Sequence, residues 1–316
     1  MKFGMHLGVR GPAAARDSLL EIAAAAERLG FDYLGFSDHV VIADSVDSVY
    51  PYTADGRWFA EDSGECLEQI STLCFVAAAT SRIRLLTSIM VLPHRPPILA
   101  AKMLTTADVL SGGRLTVGVG VGWMAEEISL LGGPPFAARG KAADESIAAF
   151  KELWTAERPR FSGAHVAFEG LKFSPKPLQR PHPPIWVGGE GAAARRRAGR
   201  VGDGWYPVCN NPKAPFDTPE RYASGLAEAR RVAEAAGRDP AALASGLYVI
   251  WHSLAGPSFG ADGVRRCFTG GPDDILADIA AFEAAGLETL VIGFEARSAS
   301  GTIDRMAAFA DVAIRS

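Results

Sequence analysis

Leu287-Glu288-Thr289-Leu290-Val291-Ile292-Gly293 runs almost without a polar interruption. A strand apolar on both faces is covered on both, as strands of a parallel sheet are. Helical patterns flank it, at 272–286 before and 301–314 after. Moving outward along the chain, the same alternation recurs. Strand-like runs at 2–9, 32–37, 83–89, 114–119, 184–188, 203–208 and 245–252 join the one at 288–294. Helical patterns at 17–30, 65–80, 97–111, 140–156, 191–200 and 218–237 separate them. The helix at 17–30 shows the basis of these assignments. Leu19, Leu20, Ala23, Ala24 and Glu27 keep a helical period, Asp17 is placed to cap the start, and Gly30 follows the end.

Strand–helix units in series either close into a barrel or stay open as a doubly wound sheet. Eight units without a break predict an α/β fold of the (β/α)8 TIM-barrel type, and 316 residues exceed the roughly 250 that such a barrel needs. The surplus lies in two stretches, 38–64 after the second strand and 157–183 before the fifth. Long loops that follow barrel strands sit on the catalytic face, so 38–64 reads as a lid or substrate wall. His165-Val166-Ala167-Phe168-Glu169, in the second stretch, reads as part of a small hairpin or as a decoration over the barrel end. No linker or low-complexity run divides the chain, and residues 1–316 are expected to form one domain.

Composition narrows the classes of function. Apolar residues make up 48% of the chain, ordinary for a sizeable core. A formal charge of −4 and a pI near 5.9 provide no general attraction for nucleic acid or anionic membrane. Any anionic ligand must be captured locally. Met1-Lys2-Phe3-Gly4-Met5-His6-Leu7-Gly8 is too short an apolar run for a secretory leader, and no stretch reaches the roughly 18 apolar residues of a membrane helix. Cys66, Cys74, Cys209 and Cys267 contain no Cys-x-x-Cys pair, and a reduced cytoplasmic protein is the simplest expectation.

The strand ends carry the candidate chemistry. After the second strand come Ser37-Asp38-His39. A carboxylate and an imidazole at that place suit a polar cofactor edge or a proton transfer, although Asp38 could equally cap a turn and His39 be a loop residue. Ser88 interrupts the apolar run 83–93, as a bulge or a polar cofactor contact would, or as a serine bonded to the backbone. Gly118, Gly120 and Gly122 form Gly-x-Gly-x-Gly, which is not the dinucleotide fingerprint. Small residues there let a flat ring lie against the backbone, or answer to crowding in the barrel. Gly188-Gly189-Glu190-Gly191 feeds a helix whose first amides can hold an anion. Arg195, Arg196 and Arg197 lie deeper in that helix and are left unassigned. The six histidines have no metal-ligand spacing, and neither a Gly-x-Ser-x-Gly elbow nor a Walker loop is present.

Taken together these fragments resemble the luciferase-like monooxygenase superfamily over nearly the whole chain. The most specific block is Pro93-His94-Arg95-Pro96-Pro97, Ala100-Ala101-Lys102, Asp108-Val109-Leu110-Ser111-Gly112-Gly113-Arg114, Gly118 to Trp123, and Glu126-Glu127. Ser37-Asp38-His39 and Gly199-Arg200-Val201-Gly202-Asp203-Gly204-Trp205 add to it. Asp38-His39, with Pro51-Tyr52 and Asp55-Gly56, resembles the branch that uses coenzyme F420 more than the branch that uses FMN. The resemblance implies a barrel, often a homodimer, and hydride transfer between F420 and a small organic substrate. Reduced FMN with oxygen, in a monooxygenase, is the alternative, and a non-catalytic flavin-binding protein is another. It further implies that Ser88-Ile89 holds a non-prolyl cis peptide behind the ring. Asp38 and Ser88 would hold the ring's polar edge, His39 would move charge or a proton, and Gly188 and Gly189 would face the cofactor phosphate. The sugar-phosphate dehydrogenases of that branch carry a glutamate where this chain has Trp123. Glucose 6-phosphate is therefore not expected as substrate, and Trp123 is expected to wall an apolar pocket.

Overall fold

Side chains on a strand point alternately to opposite faces, and in this chain the two faces have separate destinations. The computed structural model describes residues 1–58, 60, 64–260 and 263–315. Its strands are β1 (Lys2–Leu7), β2 (Tyr33–Phe36), β3 (Arg84–Thr87), β4 (Met90–Val91), β5 (Leu115–Gly120), β6 (Phe161–Ser162), β7 (Ala167–Phe168), β8 (Ile185–Gly188), β9 (Gly204–Tyr206), β10 (Ala244–Val249) and β11 (Thr289–Gly293). The helices are α1 (Arg16–Leu29), α2 (Gln69–Ala77), α3 (Pro97–Leu110), α4 (Ala125–Leu130), α5 (Arg139–Thr155), α6 (Ala192–Val201), α7 (Pro219–Ala235), α8 (Pro272–Ala284) and α9 (Ala299–Ala313).

Phe3, Met5 and Leu7 of β1, Leu34 and Phe36 of β2, and Leu290 and Ile292 of β11 belong to the large core between sheet and helices. Their alternates, Tyr33, Leu86, Trp186, Tyr206 and Val291, form a second cluster inside the sheet. Both faces are therefore buried, as the unbroken apolar run around 290 predicts. The strands pair in the parallel order β1-β2-β3-β5-β8-β9-β10-β11, and β11 returns to β1. This closed ring of eight is the (β/α)8 barrel. Its register sets His6 beside Gly35 on one side and Gly293 on the other, facing inward near the carboxyl ends of the strands.

Three local differences have physical reasons. The single strand expected at 83–89 is split, because a cis bond between Ser88 and Ile89 separates β3 from β4, which continues along β5. The cis bond itself matches the expectation. Helix α1 starts at Arg16 after a short 3-10 turn, Gly11–Ala14, so Asp17 lies in its first turn and does not cap it. There its carboxylate still complements the helix dipole. Gly30 ends the helix at φ 91°, a left-handed conformation that glycine adopts without penalty, and its N–H returns to the Ala26 carbonyl. Helix α4 lies outside the expected set, since its six residues are too few to show a period. Residues 161–168 form the hairpin β6–β7, and Glu145 of α5 accepts hydrogen bonds from the amides of Ala164, His165 and Val166 at its tip.

Candidate active site

The inward-facing residues that end the strands border one cavity of about 640 Å3 at the carboxyl mouth of the barrel. That is within the roughly 300–1,000 Å3 typical of small-molecule sites. Asp38, His39, Ser88, Ile89, Gly120 and Gly122 all line it, and so do Trp123, Gly188 and Gly189. Closure of the barrel thus brings together every site residue expected from the sequence, from positions up to 151 residues apart. They do not all play the expected part.

His6 and Ser88 make the floor. The His6 ring stacks on Tyr248 at 4.4 Å, and its Nε2 lies 3.2 Å from the Ser88 carbonyl oxygen. Burial, with the nearby Arg10 charge, lowers its pKa to about 3 against the opposing pull of that carbonyl. A neutral ring that donates through Nε2 leaves Nδ1 as an acceptor. Nδ1 is buried and has no partner. Ser88 Oγ lies 3.0 Å from the Tyr206 hydroxyl, whose pKa burial raises. The Ile89 side chain fills the space over two of the glycines. A Cβ on Gly120 would stand 2.0 Å from Ile89 Cδ1, and one on Gly188 would stand 2.8 Å from it. Crowding by Ile89, and not a ring laid against bare backbone, is what these two glycines answer to.

Asp38 has a duty different from the expected contact with a ring edge. Its side chain is fully buried, with Oδ1 and Oδ2 both taking hydrogen bonds from the Arg95 guanidinium at 2.8 Å. Oδ2 also accepts from the Val91 amide at 2.8 Å. The carboxylate therefore fixes the chain just beyond the cis bond, and both its oxygens are committed to the protein.

His39 stands over this platform. Its Nδ1–H donates to Glu127 Oε2 at 2.7 Å, and its ring lies 4.3 Å from that of Trp58. The other carboxylate oxygen of Glu127 accepts from the amides of Val40 at 2.6 Å and Val41 at 3.3 Å. Burial alone would raise the pKa of Glu127, but the His39 hydrogen bond and the His39 and His94 charges outweigh it and hold the carboxyl below its ordinary value. An ionised Glu127 accepts the Nδ1 proton and turns Nε2 of His39 to other use. Above the floor, Tyr50, Trp58 and Met124 form a buried apolar cluster, with Tyr52 and Trp123 packed against it. Trp123 meets Tyr50 edge to face at 5.1 Å, and is the apolar wall that the sequence suggests. Most of the wall comes from 38–64; Phe59, Glu61, Asp62 and Ser63 lie outside the described residues.

The opposite side of the cavity is formed by the turn into α6. Gly189 has φ 109°, and Gly191 stands before the first turn of α6 with open space where a Cβ would be. Helix amides exposed beside such a gap are suited to an anion. Arg195 is paired with Glu228 at 2.6 Å and Arg197 with Asp144 at 2.5 Å, while Arg196 is exposed. Arg139, at the start of α5, also lines the cavity; it packs on Phe136 at 3.7 Å and gives hydrogen bonds to the carbonyls of Gly122 and Phe136. Glu190, within the turn, is buried, which raises its pKa against hydrogen bonds from the Val208 amide and Asn211 Nδ2, both 2.9 Å.

Sequence reasoning passed over His6, Glu127, Glu190 and Arg139. Only His6 had a usable signal: it alternates with Gly4 between Met5 and Leu7, the inward register of the first strand. Glu127 was visible as part of a motif, but its partner lies 88 residues away.

Fold and site together define a (β/α)8 barrel with a cavity of small-molecule size at its carboxyl mouth. The chain belongs to the luciferase-like monooxygenase family, whose model matches residues 1–255. It is 35% identical over 188 residues to an FMNH(2)-dependent dimethylsulfone monooxygenase of Pseudomonas putida, covering 59% of this chain and 47% of that one. It is 30% identical over 212 residues to an F420-dependent glucose-6-phosphate dehydrogenase of Microbacterium testaceum, covering 66% of this chain and 56% of that one. Among solved structures, an F420-dependent secondary alcohol dehydrogenase superposes with a TM-score of 0.75 at 18% identity, over 98% of this chain and 97% of the other. No helix among the described residues is long and apolar enough to cross a membrane.

Proposed function

We propose that this protein is an oxidoreductase that transfers a hydride between coenzyme F420 and a small organic substrate. The observation that carries the reading is His39. One of its ring nitrogens is committed to a buried, ionised carboxylate, and the ring borders a cavity with an orphaned acceptor on its floor and helix amides at its far side. These features fit a flat heteroaromatic ring with an anionic arm. His6 Nδ1 would accept from the ring, Ile89 would back it, and the turn Gly189 to Gly191 with Arg139 would hold the arm. When bound, the deazaflavin supplies the position that accepts or returns a hydride.

The remaining work falls to side chains of this chain. Glu127 orients His39 so that Nε2 can take a proton from a substrate hydroxyl as its carbon gives up a hydride, or return one in the reverse direction. Trp58, Tyr50 and Trp123 keep water from the reacting atoms. Asp38 and Arg95 hold Val91, and through it the Ser88–Ile89 platform.

Titration of the purified protein with F420 and with FMN, followed by the fluorescence of each, tests the cofactor. Saturable F420 binding at micromolar concentration is expected, and its absence ends this reading. His39→Ala should lower turnover by about 10^2- to 10^4-fold with F420 affinity little changed. The Pseudomonas relative favours a second reading, in which reduced FMN and oxygen are used. Substrate-coupled oxygen uptake with FMN, and none with F420, would establish it.

A further inference from the structure

The charges around the cavity are almost completely cancelled. Asp38 is paired with Arg95 at 2.8 Å, and Glu127 is held by hydrogen bonds from His39 Nδ1 at 2.7 Å and from the amides of Val40 and Val41. Arg10, which borders the cavity near Trp58, is paired with Glu295 at 3.6 Å, and Arg197 with Asp144. Burial favours the uncharged forms of His6, His94 and Glu190, and of the phenols of Tyr50, Tyr52 and Tyr248. Among the described residues that line the cavity, only Arg139 is a cation without a carboxylate partner. It stands against Phe136 and the Gly122 carbonyl, in a cavity wall it shares with Arg197, whose guanidinium reaches the Gly140 carbonyl next in the chain. A cofactor's anionic arm would use that cation and the α6 amides. The space around His39 then offers nothing to offset a second negative charge, and the ionised Glu127 beside it opposes one. Its walls are rings: Trp58 lies 4.3 Å from His39, Tyr50 lies 5.1 Å from Trp123, and Trp58 lies 6.1 Å from Trp123. An anionic group placed there would lose its water and gain no counter-ion, which is strongly unfavourable.

We propose that the substrate is an uncharged, mainly apolar hydroxyl or carbonyl compound, its body packed against Trp58, Tyr50 and Trp123 and its one oxygen directed at His39. Phosphorylated and carboxylated compounds are excluded by the same walls. The inference rests on the reading of the cavity as an oxidoreductase site, and it specifies which class of compound that site takes. Trp123 is the specificity-determining side chain, because it touches both the lid and His39, 6.2 Å away.

The test is binding, read by quenching of tryptophan fluorescence, in the protein as purified and in the protein saturated with F420. Cyclohexanone and cyclohexanol are the apolar probes, with glucose 6-phosphate and cyclohexanecarboxylate as charged ones. Saturable binding of the apolar pair is expected, and in the F420-saturated protein, where the anion site is filled, it should be at least tenfold tighter than that of either charged compound. Trp123→Ala should weaken cyclohexanone binding by tenfold or more with the F420 dissociation constant changed less than twofold, and Trp123→Phe should recover most of the loss. Should Trp123→Ala fail to fold, Trp58→Phe and Trp123→Phe carry the same comparison at smaller amplitude. Equal or tighter binding of a charged probe to the F420-saturated protein, no saturable binding of the apolar pair, or indifference to Trp123 would overturn the proposal. Loss of F420 binding with cyclohexanone binding intact would instead remove the cofactor and leave the substrate class standing.

Discussion

At the amino-terminal end of the barrel, Arg114 gives hydrogen bonds to the carbonyls of Ala77, Thr80, Ile83 and Ser111 and to the Thr80 hydroxyl. Nearby, Asp108 takes hydrogen bonds from both the amide and side chain of Gln179 and from the Leu178 amide. At the carboxyl end, His6 Nδ1, His94 Nδ1 and Asn210 Oδ1 are buried with no hydrogen-bond partner, His94 Nδ1 lying 3.8 Å from Asp38 Oδ2. Buried polar atoms are nearly always satisfied, and the exceptions call for an explanation. The two ends share strands, core and closure, so fold alone does not account for the contrast. At one end Arg114 and Asp108 hold strands and loops together, with Arg230 Nε as an unpartnered exception; at the other several polar atoms border the cavity without a hydrogen-bond partner.

The sharpest attack on that contrast is Asp108→Ala. It removes three hydrogen bonds to a fully buried carboxylate and should cost about 3 kcal/mol of stability in urea unfolding, with F420 affinity of the folded protein unchanged. A variant that binds F420 poorly while unfolding normally would make the lower end functional and break the comparison. Next come two glycines of the mouth. Gly120→Ala drives a methyl group into Ile89 and should cost about 2 kcal/mol, whereas Gly191→Ala has open space and should change stability by less than about 0.5 kcal/mol. The second variant should instead weaken F420 binding, since its methyl group occupies the gap beside the α6 amides. Similar stability losses in both would show that the gap is only apparent. The gentlest test uses pH. Folded His6 titrates at about 3 against 6.5 for a free histidine, so between these values the unfolded chain binds one more proton. Stability from this site is intact above about pH 6.5 and is lost as pH falls toward 3. In His6→Phe the slope of stability against pH should fall by about 1.4 kcal/mol per pH unit in that window, measured by urea midpoints from pH 6 to pH 4. An unchanged slope would mean that His6 already shares water in the cavity.

Most of the barrel was legible because its cause is local. Two-faced apolar strands and period-3.6 helices are written in consecutive residues, and the eight strand positions follow from them. The split of the third strand shows in Ile83 to Val91 only as the polar Ser88, which reads as a bulge or a contact; the cis bond entered through resemblance, at Ser88-Ile89. The candidate site was legible as positions and much less as roles. Asp38 was recognised at the end of its strand, but its partner Arg95 is 57 residues on, and no spacing announces that pairing. The motif from Asp108 to Arg114, the most recognisable stretch of the chain, turns out to brace the lower end. Recognisability there tracks the struts of the barrel and says little about chemistry.

Glu127 holds the amides of Val40 and Val41 with one oxygen and His39 with the other. Those amides begin the segment that carries Tyr50 and Trp58 into the cavity wall. One buried side chain therefore sets both the orientation of the imidazole and the course of the chain that follows it, so a substitution at Glu127 disturbs the two together.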